Sequence, residues 1–131
     1  MDEFAAALRE QVGTSASGTV LILLAFGISS LMKISQGSTT VALITASAIM
    51  FGVVEGMALP YHPLYLFLAI GFGGMVFSWM NDSGFWIVGR MAGFDERETF
   101  QTWSLGFGLA GLVGLLQVLL ASQLLPLAGG Q

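Results

Sequence analysis

Apolar residues in this chain run in long blocks, cut by short polar clusters. The first two blocks, Thr19 to Met32 and Val41 to Val54, are 14 residues each. As helix each is about 21 Å long, short of the roughly 30 Å hydrocarbon core of a bilayer. Lys33 to Thr40 (KISQGSTT) separates them. Two short apolar helices joined by a polar, glycine-containing turn predict a re-entrant hairpin over 19–54 whose tip lies at membrane depth. Two ordinary spans that recruit flanking residues, with the turn at the surface, are the alternative.

The next block has the opposite problem. Pro63 to Gly93 is 31 residues, about 46 Å as a straight helix, and therefore too long for one crossing. The polar cluster MNDSGFW, Met80 to Trp86, is the natural interruption. It predicts a discontinuous helix over 63–92 with limbs Leu64 to Trp79 and Phe85 to Met91. In lipid, interrupted backbone is tolerated only against protein or a wet cavity. An ionisable residue at that depth, here Asp82, is a functional candidate by default.

The remaining segments read more simply. Glu55 to Pro63 (EGMALPYHP) has two prolines and Tyr61, and predicts a turn at the membrane surface. Asp95, with Glu98 three residues on, predicts a capping box that starts the last helix, Thr99 to about Leu125, long enough to span with tilt. Gly106, Ala110 and Gly114 recur at four-residue spacing and predict close approach of another helix. Met1 to Gln11 reads as a short amphipathic helix and Val12 to Gly18 as a small-residue linker. Residues 1–18 are thus an interfacial segment ahead of a membrane module over 19–131, whose last span is 99–125. The fold class is all-α integral membrane.

Composition strengthens the membrane reading. The chain is 55% hydrophobic and 9% charged, with mean hydropathy +0.82, whereas a soluble domain carries about 25% charged residues. Its net charge of −4 offers no basic surface for nucleic acid. The absence of cysteine excludes disulfides and thiolate chemistry, and a single His62 cannot build a metal site. No cofactor and no metal are expected. The first ten residues lack the basic region of a signal peptide, so the hydrophobic runs themselves would do the targeting.

The two polar interruptions carry the chemistry. A helix restarting after Gln36-Gly37-Ser38-Thr39 presents free N–H groups and a positive dipole end, with Ser38 or Thr39 as cap. A helix restarting after Asn81-Asp82-Ser83-Gly84 does the same, with Asp82 or Ser83 as cap. Two such starts meeting within the membrane suit a carboxylate. Lys33, the cation within the apolar body, is a counter-ion for that carboxylate or for Asp82, unless its long stem snorkels to an interface. Asp82 is either a proton carrier or a permanently ionised helix cap. His62 reads as a surface-turn residue more readily than as a proton relay. Arg90 and Arg97 flank a polar loop that the positive-inside rule places in the cytoplasm.

QGSTTVALITASA (Gln36 to Ala48), NDSGFW (Asn81 to Trp86) and ETFQTWS (Glu98 to Ser104) together resemble the C-terminal part of the gluconate permease family, over roughly Leu21 to Leu125. The resemblance implies proton-coupled import of gluconate and related sugar acids or small hydroxy and amino acids across the inner membrane. It also implies the second of two inverted repeats of an ion-transporter-superfamily fold. Members of that family are several times longer and build their site from two hairpins and two broken helices, so a partner chain carrying the first repeat, or self-association, is expected. With a polyol acid as substrate, Gln36, Gly37, Ser38, Thr39, Asn81, Ser83, Gly84 and Lys33 become the binding candidates, and Asp82 the proton-coupling one. The competing readings are a truncated or non-transporting membrane interaction subunit and a small multidrug-type exporter that uses Glu55. No nucleophile–base pair or metal cluster suggests an enzyme.

Overall fold

A computed structural model describes residues 2–4, 6–7, 18–57 and 59–125, and among them all regular structure is helical. Helix α1 runs Gly18–Gln36, α2 Thr39–Val54, α3 Leu64–Gly73, α4 Ser83–Ala92 and α5 Glu96–Leu124. The second turn of α5, Phe100–Ser104, is wound as a π-helix. Residues 2–4 and 6–7 are helical and exposed, and the rest of the expected N-terminal helix and linker lies outside the described residues.

Helices α1 to α3 pack on one another, α1 most extensively on α3, and α5 lies along α3. Their shared core is formed by Leu21, Ile22 and Ala25 of α1, Ala46, Met50 and Val53 of α2, Leu66, Ala69 and Ile70 of α3, and Val118 of α5. Ala25, Ala46 and Ala69 in this core, with glycines at the helix contacts, allow the close backbone approach expected where lipid removes the hydrophobic drive between helices. Gly73 is the sharpest case: a Cβ there would meet the Phe26 carbonyl of α1 at 2.5 Å. At the same crossing Ser29 donates to the Ile70 carbonyl at 2.6 Å. Large apolar residues cover the outside, among them Ile44, Phe51, Leu109, Leu116 and Leu120. Such a surface suits lipid or another apolar chain better than water.

Several boundaries differ from the sequence expectation. Helix α1 is longer than its apolar block, continuing through Lys33 to Gln36. It can do so because the Lys33 charge is compensated inside the fold. At 19 residues α1 is long and apolar enough to cross a membrane, whereas α2 has 16 and falls short. The first limb of the broken helix ends at Gly73, not Trp79, and the second begins at Ser83, not Phe85. The break therefore starts at Gly73-Gly74, ahead of the polar cluster, where three successive turn bonds (Gly74, Met75 and Val76 N–H to Ile70, Phe72 and Gly73 carbonyls) close the helix. It then passes through Phe77 at φ 55. A bulky residue in that region costs on the order of 1–3 kcal/mol and persists only where its surroundings hold it.

Helix α5 begins at Glu96, three residues earlier than expected, on the anticipated capping box: Asp95 Oδ1 accepts from Glu98 N–H at 2.7 Å and Glu98 Oε2 from Asp95 N–H at 2.9 Å. The small-residue ladder is shifted. Gly106 and Ala110 are exposed, and Gly111 and Gly114 are the glycines that let α5 approach Phe72 and Val76.

Candidate functional site

The two polar interruptions meet. Gly37, at φ +71, turns the chain from α1 into α2 and sits so close to the backbone of Asn81 that a Cβ would collide with it. Glycine is required there twice over, for the left-handed turn and for the approach. The α1–α2 turn is fastened to both sides of the break. Thr39 Oγ1 donates to the Gly74 carbonyl at 3.1 Å. Asn81 Nδ2 and Trp79 Nε1 both donate to the Ile34 carbonyl, at 2.8 and 3.1 Å. These bonds satisfy backbone groups that the end of α1 and the end of α3 leave open.

At the centre lies an ion pair. Lys33 Nζ stands 2.8 Å from Asp82 Oδ2 and donates also to the Gly37 carbonyl at 3.2 Å. The Lys33 side chain is only 4% exposed and that of Asp82 15%, so Lys33 does not snorkel to an interface. It lies one helical turn before the hairpin tip and reaches across to the head of α4. Asp82 caps that helix, accepting from Gly84 N–H at 3.0 Å through Oδ1, and Ser78 donates to its Oδ2. Every partner of the Asp82 carboxyl group is a donor, an arrangement that suits the carboxylate.

Of the two alternatives at each helix start, the caps are Ser38, whose Oγ accepts from Val41 N–H at 3.3 Å, and Asp82. The N–H groups of Thr39, Thr40 and Ser83 make no hydrogen bond to another described residue. Several candidate side chains keep capacity after their structural bonds. Ser38 can still donate, Thr39 Oγ1 and Asn81 Oδ1 can still accept, and Gln36 and Ser83 are exposed with no side-chain bond to a described residue. Lys33, Gly37, Ser38, Thr39, Asn81, Asp82, Ser83 and Gly84 thus converge on one locus, with Gln36 at its rim.

Three contributors carried no chemistry in the sequence: Ser78, Trp103 and Ser104. Trp103 Nε1 donates to Ser78 Oγ at 2.9 Å, and Ser104 donates to the Ser78 carbonyl. A polar run inside an otherwise apolar helix, Gln101 to Ser104, was the available signal. Other candidates lie elsewhere. His62 is exposed and accepts from Leu64 N–H at 3.1 Å. Glu55 is exposed in the turn after α2. Arg90 and Arg97 are exposed and line a cavity with Trp86 and Phe94, away from the ion pair.

The pattern of GntP family permeases matches residues 5–124. A gluconate permease of Pseudomonas aeruginosa is 38% identical over 104 residues, covering 79% of this chain and 23% of the relative. A low-affinity gluconate transporter of Escherichia coli is 34% identical over 109 residues, 82% of this chain and 24% of the relative. An L-idonate transporter of the Gnt-II system of Escherichia coli is 32% identical over 111 residues, 83% and 25%. The chain spans about a quarter of the length of these curated relatives. No solved structure matches.

Proposed function

Because the chain belongs to the GntP family of permeases, transporters of the membrane rather than enzymes, we propose that it is the C-terminal module of a proton-coupled importer of gluconate-like organic anions. The observation that carries this reading is the Lys33–Asp82 pair at the junction of two helix starts. An entering carboxylate competes with Asp82 for Lys33 and takes the free N–H groups of the restarting helices. Asp82, deprived of its cation in a low-dielectric site, then takes up a proton on Oδ2. Anion and proton load together, and the site's net charge is unchanged. Hydroxyls of the polyol chain pair with Gln36, Ser38, Thr39, Asn81 and Ser83, with Gly37 and Gly84 admitting the ligand close to the backbone.

The re-entrant reading of α1–α2 has support in relative helix lengths. Tyr61 donates to the Gly18 carbonyl at 2.7 Å and Tyr65 to the Leu125 carbonyl, and the two rings meet edge to face at 6.0 Å. The start of α1 and the end of α5 therefore share one side of the fold. From that side α5 runs for 29 residues and α1 for 19, a difference of about 15 Å of helix. One hairpin and one broken helix supply half of a two-repeat site, and the other half comes from a partner chain or a second copy. The exporter reading through Glu55 has no comparable support.

The test is binding by this chain in lipid nanodiscs. Gluconate is expected to change tryptophan emission, because Trp79 lies in the break and donates to the Ile34 carbonyl of α1, and Trp86 and Trp103 donate to residues of the break. The uncharged polyol glucose is expected to leave it unchanged, and Lys33→Met to abolish the gluconate response. An undiminished response in Lys33→Met would refute the site.

A further inference from the structure

Ser78 lies within the break, is 1% exposed and caps neither helix. Its hydroxyl has one proton. Trp103 Nε1–H can only donate and does so to Ser78 Oγ at 2.9 Å, so the Ser78 proton is left for Asp82 Oδ2. The Ser78 carbonyl is held by the hydroxyl of Ser104. Phe77, the residue before it, occupies the left-handed region at φ 55, and its ring meets Phe100 edge to face at 6.1 Å. Phe100, Trp103 and Ser104 all belong to the π-wound turn of α5. That one turn therefore supplies the contacts that hold a strained backbone and aim its hydroxyl at the ion pair. π-Turns are rare and recur at functional sites.

We propose that the π-turn of the last helix is a clamp on the ion pair, with Ser78 and Trp103 as positioning residues that hold Asp82 against Lys33. The last helix and the anion site then change state together: releasing Trp103 frees Ser78 and leaves Asp82 with Lys33 and Gly84 alone. Among the described residues Lys33 is the charged group that Asp82 contacts. The role assigned to Asp82 rests on the anion-site reading, but the clamp itself can be tested without substrate.

The experiment is an NMR measurement on the full chain in nanodiscs with its tryptophan indoles labelled with nitrogen-15. Three indole signals are expected, and Trp103→Phe identifies its own by loss. Trp86, which donates to the Met80 carbonyl at 2.8 Å, serves as the control for intact folding. Asp82→Asn should shift the Trp103 signal more than the Trp86 signal. Ser78→Ala should remove that response, and Ser78→Thr, which keeps the hydroxyl, should retain it. A Trp103 signal indifferent to Asp82→Asn, or equally responsive when Ser78 is alanine, would overturn the clamp. If Ser78→Ala does not fold, the response of the otherwise unaltered chain to Asp82→Asn decides the matter. Loss of gluconate binding with the coupling intact would remove the anion-site reading and leave the clamp. The reverse result would remove the clamp alone.

Discussion

Breaking the Lys33–Asp82 pair from either side should have unequal costs, and removing both partners should cost less than the two single losses together. Lys33→Met leaves the Asp82 carboxylate with Ser78 and Gly84 N–H and with its 15% exposure. Losing one charged hydrogen bond in that setting costs about 1.5–3 kcal/mol. Asp82→Asn leaves an ammonium only 4% exposed, with the Gly37 carbonyl at 3.2 Å and a neutral amide. An uncompensated buried charge costs about 3–5 kcal/mol. The double variant removes the stranded charge, so a coupling energy of about 1–3 kcal/mol is expected. Unfolding by SDS in mixed micelles, followed through tryptophan emission, measures all four proteins. A coupling within about 0.5 kcal/mol of zero, the range of independent sites, would refute the claim that the two side chains stabilise each other.

Gly37→Ala should destabilise the chain by about 1–2 kcal/mol from its left-handed φ alone, and by more through collision with Asn81; the same SDS titration checks it, and an unchanged midpoint contradicts the turn. Ser38→Ala should cost about 1 kcal/mol through loss of the α2 cap, and Ser38→Gly noticeably less. Burial pushes the Tyr61 hydroxyl up from 10.0 to about 12. A group raised in the folded state contributes its full stability below its unfolded value and loses it as pH climbs. Between pH 10 and 12, stability should therefore fall by up to about 1.4 kcal/mol per pH unit from this group. Tyr61→Phe should flatten that part of the profile, and an identical alkaline slope would contradict the assignment.

The sequence made the break legible because membrane thickness is a ruler: an apolar block of excess length must be interrupted, and Asn-Asp-Ser-Gly marked where. It placed the Asp95 capping box for a similar local reason, since both partners lie within four residues. The position of the break's first edge was not legible. Met75 to Trp79 is still mostly apolar, and α3 ends at Gly73-Gly74, where Thr39 of the neighbouring turn donates to the Gly74 carbonyl, a contact 35 residues apart in the chain. The pairing of Lys33 with Asp82 was one of the alternatives the sequence left open, and the choice among them was not legible because the partner lies 49 residues away. Gly106 and Ala110 were misleading for a related reason. Four-residue spacing marks a helix face but not whether a neighbour lies on it, and α3 sits on the face of Gly111 and Gly114 instead. Ser78 gave no signal, because a serine in an apolar run acquires a role only through the helix that packs beside it, whereas Trp103 lay in the polar run Gln101 to Ser104 without its partner being legible.

The central claim, that this module carries the anion and proton site of a permease, is tested most directly by a chimera. Residues 5–124, the part matching the family, replace the corresponding segment of the Pseudomonas aeruginosa gluconate permease, and uptake of labelled gluconate is measured in cells lacking their own gluconate carriers. The account predicts uptake that collapses with the pH gradient, disappears in Lys33→Met, and loses its proton dependence in Asp82→Asn. Gradient-driven uptake of normal rate in both variants would contradict it.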